Sequence, residues 1–146
     1  MSRRVLLLAL LAALPLACNR AGPPVVVTGP QSAPGWEVRY NASIALARRG
    51  SESIIQDRVK DTLLEMLDEE QQMRNFRHTT KDGKDVSDAG EAQLTMITAM
   101  QALAEAHRRK PELDLSPFKP AMDKLAASRS LAVSMEAKKA QQAIYK

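Results

Sequence analysis

One cysteine, two histidines and a row of four carboxylates are the residues in this chain whose types could do chemistry. Histidine and cysteine ligate metals, or act as nucleophile and base, only when several converge. Here Cys18 is the single cysteine, and His78 and His107 stand far apart, each in a polar, basic stretch. Asp57, Asp61, Glu65 and Asp68 recur at spacings of three and four, which puts them on one side of a helix. Such a row could shuttle protons or hold a cation. Arg58 and Lys60 are interleaved with it and no glycine-bearing calcium-loop order is present, so it reads as a solvated face. The serines lack a nucleophile-elbow pattern, and no glycine-rich phosphate loop occurs. No catalytic residue, no metal ligand set and no cofactor is expected.

Cys18 gains meaning from what precedes it. Ser2-Arg3-Arg4 gives a positive start, and Val5 to Leu16 is apolar throughout except for Pro15. That run is short for a bilayer span and has the form of a signal peptide over residues 1–17. It ends in Leu16-Ala17-Cys18, which resembles the lipobox of bacterial lipoproteins. The resemblance implies cleavage before Cys18, with diacylglycerol on the sulfur and an acylated amine. It departs from the family pattern at Pro15, where an apolar residue such as leucine is usual. A lone thiol in an exported chain has no disulfide partner, which agrees with lipidation. Each buried methylene is worth about 0.8 kcal/mol, so two or three acyl chains would hold the domain at a membrane. The expected location is a membrane of the cell envelope, with the domain facing the periplasm or the exterior.

Residues 18–35 read as the lipidated cysteine and a tether. Four of the eight prolines lie there, with Gly22, Gly29 and Gly35. Fully extended, such a segment reaches about 50 Å. The formal net charge of +4 shrinks once Arg3 and Arg4 leave, to 19 Lys+Arg against 17 Asp+Glu. That near-balance, with export, argues against a nucleic-acid partner.

Residues 36–146 read as one all-α domain. Aromatic residues are few, so Leu, Ile, Met and Ala must build the core, which suits packed helices. About five helices are expected. The first runs from Trp36 to Arg49, with Val38, Ala42, Ala45 and Leu46 as its buried stripe and Gly50 ending it. The second follows a Ser51 or Ser53 cap, with Ile55, Val59, Leu63, Met66 and Leu67 inward. Residues 74–87 form a polar loop that carries Arg74, Arg77, His78, Lys81 and Lys84. Asp88 with Glu91 starts the third helix, which carries Leu94, Ile97, Met100 or Gln101, and Leu103 inward and ends near Arg108-Arg109-Lys110. Ser116-Pro117 opens the fourth, with Phe118, Met122, Leu125 and Ala126 inward. The fifth spans about Leu131 to Tyr145, with Val133, Ala137, Ala140 and Ile144 inward.

A loose repeat links three of these. Val38, Arg39, Ala42, Ala45 and Leu46 share a register with Thr95, Met96, Ala99, Ala102 and Leu103. Val133, Ser134, Ala137, Ala140 and Gln141 follow it again. The last two copies are roughly 40 residues apart, one helical-pair repeat. The pattern resembles the inner helix of HEAT repeats and the HEAT-like repeats of bilin lyase families. It implies a short right-handed α-solenoid of antiparallel helix pairs. Such a stack would bind an unknown protein or peptide on its inner layer, through Glu37, Arg48, Gln101, Glu105, Lys138 and Gln142. The function expected is a non-catalytic, membrane-anchored interaction or scaffold module of the envelope. The alternatives are a small lyase or ligand-binding subunit and a structural lipoprotein without a specific ligand.

Overall fold

The computed structural model describes residues 35–146. The expected signal peptide, Cys18 and the expected tether up to residue 34 lie outside them. The described chain is mostly helical, with six α-helices and one small two-stranded sheet.

Helix α1 (Trp36–Arg48) ends at Gly50, whose φ of +68° only glycine adopts at little cost. The Gly50 and Ser51 amides donate to the carbonyls of Ala47 and Leu46, closing the helix end. The buried side of α1 is Tyr40, Ser43 and Ala47, backed by half-buried Trp36 and Ile44. Of the expected stripe, Leu46 packs half-buried against the core, while Val38, Ala42 and Ala45 face solvent. The reason is size. Trp36 and Tyr40 remove far more apolar area from water than two alanines and a valine can. The Tyr40 hydroxyl also finds partners inside.

A 3-10 turn (Glu52–Ile55) intervenes before α2 (Asp57–Met66). Gln56 is extended, which rephases the chain, so Ile54 is buried in place of Ile55. Leu63, Met66 and Leu67 are buried as the pattern predicts. Two elements were not anticipated. Helix α3 (Glu69–Asn75) is capped by Asp68, whose carboxylate accepts from the Gln71 amide at 2.9 Å. The polar segment 74–87 is largely a hairpin of β1 (Arg77–Thr79) and β2 (Asp85–Ser87) that turns at Gly83. The Asp88 amide donates to the Phe76 carbonyl and closes its base.

Helix α4 (Ala89–Arg109) is the longest, and Asp88 caps it by accepting from Glu91. Ala92, Met96, Ala99, Met100, Ala102, Leu103 and Ala106 are all buried. Leu94, expected inward, is exposed, because α1 and another helix flank α4 and leave the opposite strip uncovered. That helix is α6 (Leu131–Tyr145), capped by Ser130 and burying Val133, Ser134, Ala137, Ala140 and Ile144. Before it comes α5 (Lys119–Ala126), led in by a 3-10 turn at Ser116–Phe118 and burying Met122 and Leu125. Leu113 and Leu115 of the connector are buried too.

Contacts set the directions. Gly50, at the end of α1, lies against the Cβ atoms of Arg109 and Lys110, at the end of α4. Trp36 and Glu37 share a groove with Glu91 and Leu94, so the two starts also meet. Helices α1 and α4 run parallel. Helix α6 follows the same sense, since Tyr145 at its end donates to the Leu115 carbonyl beyond the end of α4. Helix α2 returns antiparallel to α1, with Glu65 beside Tyr40. Helix α5 does so against α6, where the Ser134 hydroxyl donates to the Ala126 carbonyl at 2.8 Å and Gln141 reaches Asp123.

A side chain at Gly50 would strain a positive φ and put a Cβ 3.2 Å from that of Arg109. Gly50→Ala is expected to cost about 1–2 kcal/mol, measured as a lower urea midpoint in equilibrium unfolding. An unchanged midpoint would mean the α1–α4 junction is not tight.

Candidate interaction surfaces

Beneath the start of α1 sits a polar cluster that the chain has to bury. The Tyr40 hydroxyl donates to Glu65 Oε1 at 2.8 Å and accepts from Gln72 Nε2 at 3.0 Å and Asn75 Nδ2 at 3.1 Å. Gln72 is fully buried and also donates to the Glu65 carbonyl at 2.7 Å, while its Oε1 has no partner in the protein. Arg39 pairs with the second Glu65 oxygen at 3.4 Å. Above the cluster the Trp36 ring meets Tyr40 and Phe76 edge-on, at 5.0 and 5.2 Å between centroids.

The four-carboxylate row therefore does separate jobs. Asp57 pairs with Lys60, Asp61 faces water, Glu65 anchors Tyr40, and Asp68 caps α3. Among the described residues no three of His, Cys, Asp and Glu come close enough to hold a metal ion. His78 lies exposed on β1. His107 is half-buried on α4, with an Nδ1 that meets no partner in the protein.

Concavities among the described residues include the following three. Between α1 and α4 a groove of about 250 Å³ is lined by Trp36, Tyr40, Ile44, Phe76 and Leu94. Between α4 and α6 another of about 370 Å³ has an alanine floor, Ala104, Ala140 and Ala143, under Glu105, Arg108, Glu136 and Lys139. On the other side of the molecule, a cleft of about 590 Å³ opens between the α2–α3 corner and α5. Leu64, Leu67, Pro117, Pro120, Ala121 and Leu125 line it, with Asp68, Glu69 and Glu70 on one rim and Lys124 on the other. The Ser128 hydroxyl donates to Glu69 at 2.9 Å and ties the two rims together.

The six residues expected to take a partner fall on α1, α4 and α6. Glu37, Arg48, Gln101, Lys138 and Gln142 are exposed. Glu105 is half-buried and engaged, accepting from Arg108 at 2.6 and 2.8 Å and from Arg109 at 2.7 Å. Those two guanidinium groups hold its carboxyl down to about 2. Glu37 lies in the α1–α4 groove, while Gln101 and Glu105 lie in the α4–α6 groove. The largest of these three concavities contains none of the six. Its acidic rim comes from α3, the helix the sequence reading passed over. Asp68 followed by Gln71 three residues on is a helix-start signature that could have revealed it.

Compared with known proteins, the chain matches no family model, no curated protein and no solved structure. No described helix is long and apolar enough to cross a membrane.

Burial pushes the Tyr40 hydroxyl up to about 12; Gln72, donating to it, works against this and Glu65 works with it. Burial, with Asp123 and Asp114 nearby, takes Tyr145 to about 12 as well. Unfolded tyrosine releases its proton near 10, so between about 10 and 12 the unfolded chain binds fewer protons than the folded one. Stability should be intact below pH 10 and fall across that window. Tyr40→Phe should flatten the fall to the share left by Tyr145. Urea midpoints measured across the window in both proteins decide it, and identical slopes would contradict the coupling.

Proposed function

We propose that this chain is a lipid-anchored, non-catalytic interaction module of the bacterial cell envelope. Its domain would be a short HEAT-like stack, with α1, α4 and α6 as one layer and α2, α3 and α5 as the other. The parallel run of α1, α4 and α6, with α2 antiparallel to α1 and α5 antiparallel to α6, supports the stack. Buried Ala99, Ala102, Ala137 and Ala140 let these rods lie close, as the repeat requires. Against it stands the first repeat copy, whose Val38, Ala42 and Ala45 face outward.

The observation that carries the interaction role is the cleft between the α2–α3 corner and α5. It is concave, floored by leucines, prolines and an alanine, and rimmed by charge, the form in which proteins receive a partner's side chains. The mechanism is display. Lipid on Cys18 would fix the location, the tether would set the reach, and the rigid helices would present the cleft to a protein or peptide. The residues expected on the α1, α4 and α6 layer then serve a different contact, taken up below.

Two measurements test this reading. Intact mass of the processed protein should show residues 1–17 removed and Cys18 acylated, and Cys18→Ser should release the domain from membranes. A photo-crosslinking residue at Ala121 should trap a partner in intact cells, and filling the cleft with Ala121→Trp should abolish partner capture while leaving the helical circular dichroism unchanged. A free thiol at Cys18 ends the anchoring half. Capture that is indifferent to the cleft ends the cleft's role, and no capture at all leaves a structural lipoprotein.

A further inference from the structure

We propose that the outward face of α1, α4 and α6 lies on an anionic phospholipid bilayer. This rests on the anchoring just proposed and names the surface that the anchored domain turns toward its membrane.

Four large apolar side chains stay more than half exposed among the described residues: Val38 at 71%, Leu94 at 57%, Leu131 at 74% and Met135 at 62%. All four belong to this one layer. Val38 points away from the Tyr40, Ser43 and Ala47 side that meets α2 and α3. Leu94 shares the strip of α4 that carries Gln101 and Arg108, uncovered by α1 or α6. Leu131 and Met135 lie one turn apart on the side of α6 opposite Val133, Ala137 and Ile144. Scattered apolar residues on a surface need no explanation. These are not scattered, because all four lie on the uncovered side of one layer of parallel helices. Val38 and Leu94 lie where α1 and α4 begin, and Leu131 and Met135 lie at the start of α6, just before Glu136 and Lys139 meet the second half of α4.

The same face carries cations. Arg48 and Arg49 close α1, Arg108 lies near the close of α4, and Lys138 and Lys139 follow on α6. Helix dipoles favour cations there, which accounts for some of them. It does not account for apolar residues left in water on the same face. The acids nearby are few and mostly engaged. Glu105 is held by Arg108 and Arg109, and Glu136 pairs with Lys139 at 3.8 Å. Glu37 and Glu91 sit in the groove between α1 and α4. No ion pair to Arg48 or Arg49 occurs among the described residues. Guanidinium groups match phosphate geometry. An anionic bilayer supplies both halves of what this face asks for, phosphate for the arginines and an interfacial layer for the valine, leucines and methionine. Helix α1 is roughly 20 Å long at 1.5 Å per residue. A tether reaching about 50 Å therefore lets the whole face settle. The cleft, on the opposite layer, is left pointing away from the membrane.

The test uses the processed, lipidated protein carrying Met135→Cys, whose thiol takes a polarity-sensitive fluorophore because the Cys18 sulfur would be occupied. It is reconstituted into phosphatidylcholine vesicles with and without phosphatidylglycerol. The expected result is a blue-shifted emission only in the anionic vesicles, reversed by high salt. The double change Arg48→Glu and Arg49→Glu should lower the docked fraction about tenfold or more, with an unchanged circular dichroism spectrum. Protein that floats with both vesicle types while the probe stays in water overturns the docking and leaves the anchor standing. Protein that does not float overturns the anchor, and the docking with it. A shift seen in native envelopes but in neither vesicle assigns the face to a protein and also overturns it.

Discussion

Helix α4 has to be covered on three sides, and the rest of the domain is arranged to do it. Seven of its side chains are buried, and they cover nearly half of the helix circumference. Four are alanines, which bury little area each but let neighbouring backbones approach. Met96, Met100 and Leu103 fill the spaces beneath. Helix α1 takes one flank, α6 the other, and α2 with α3 the underside. Only the strip from Leu94 through Gln101 to Arg108 remains open.

Placing α1 and α4 parallel brings two negative helix ends together, an arrangement that needs compensation. The sequence supplies it from two distant stretches. Arg48 and Arg49 come from α1, and Arg108, Arg109 and Lys110 from α4, joined where Gly50 touches the last turn of α4. Glu52 binds Lys110 and Glu105 binds Arg108 and Arg109, which keeps five cations from repelling one another freely. Gly50 is thus both a stop for α1 and the hinge point of the junction.

Much of this was legible in the residues, and what was missed has particular causes. The helical class, Asp88 as a cap, Gly50 as a stop, and the inward sets of α5 and α6 follow from spacing alone. The face of α1 did not, because both candidate stripes have helical spacing. What decides is Tyr40, whose hydroxyl is satisfied by Gln72, Asn75 and Glu65, residues more than twenty positions away. Helix α3 escaped notice because its sequence is polar. It is helical for its Asp68 cap and for the place of Gln72 inside the core, a tertiary reason. The cleft was illegible for the same cause, since one of its walls begins at α3. The hairpin within residues 74–87 was seen only as a turn, for strands of three exposed residues carry no apolar alternation.

That rotation of α1 changes what its surface is for. Had Val38, Ala42 and Ala45 packed inward, the outer layer would have shown Trp36 and Tyr40 to solvent. The observed rotation hides the two aromatics and leaves a low, small-residue surface on α1 that runs from Val38 to Arg49. Helix α4 continues it with Leu94 through Arg108, and α6 with Leu131 through Lys139. Two shallow grooves open on this face, one between α1 and α4 and one between α4 and α6. The larger cleft lies between the α2–α3 corner and α5. Which side chains α1 adds to this outer surface follows from the face of α1 that the core accepted, and that face is fixed by buried Tyr40 and its partners Glu65, Gln72 and Asn75.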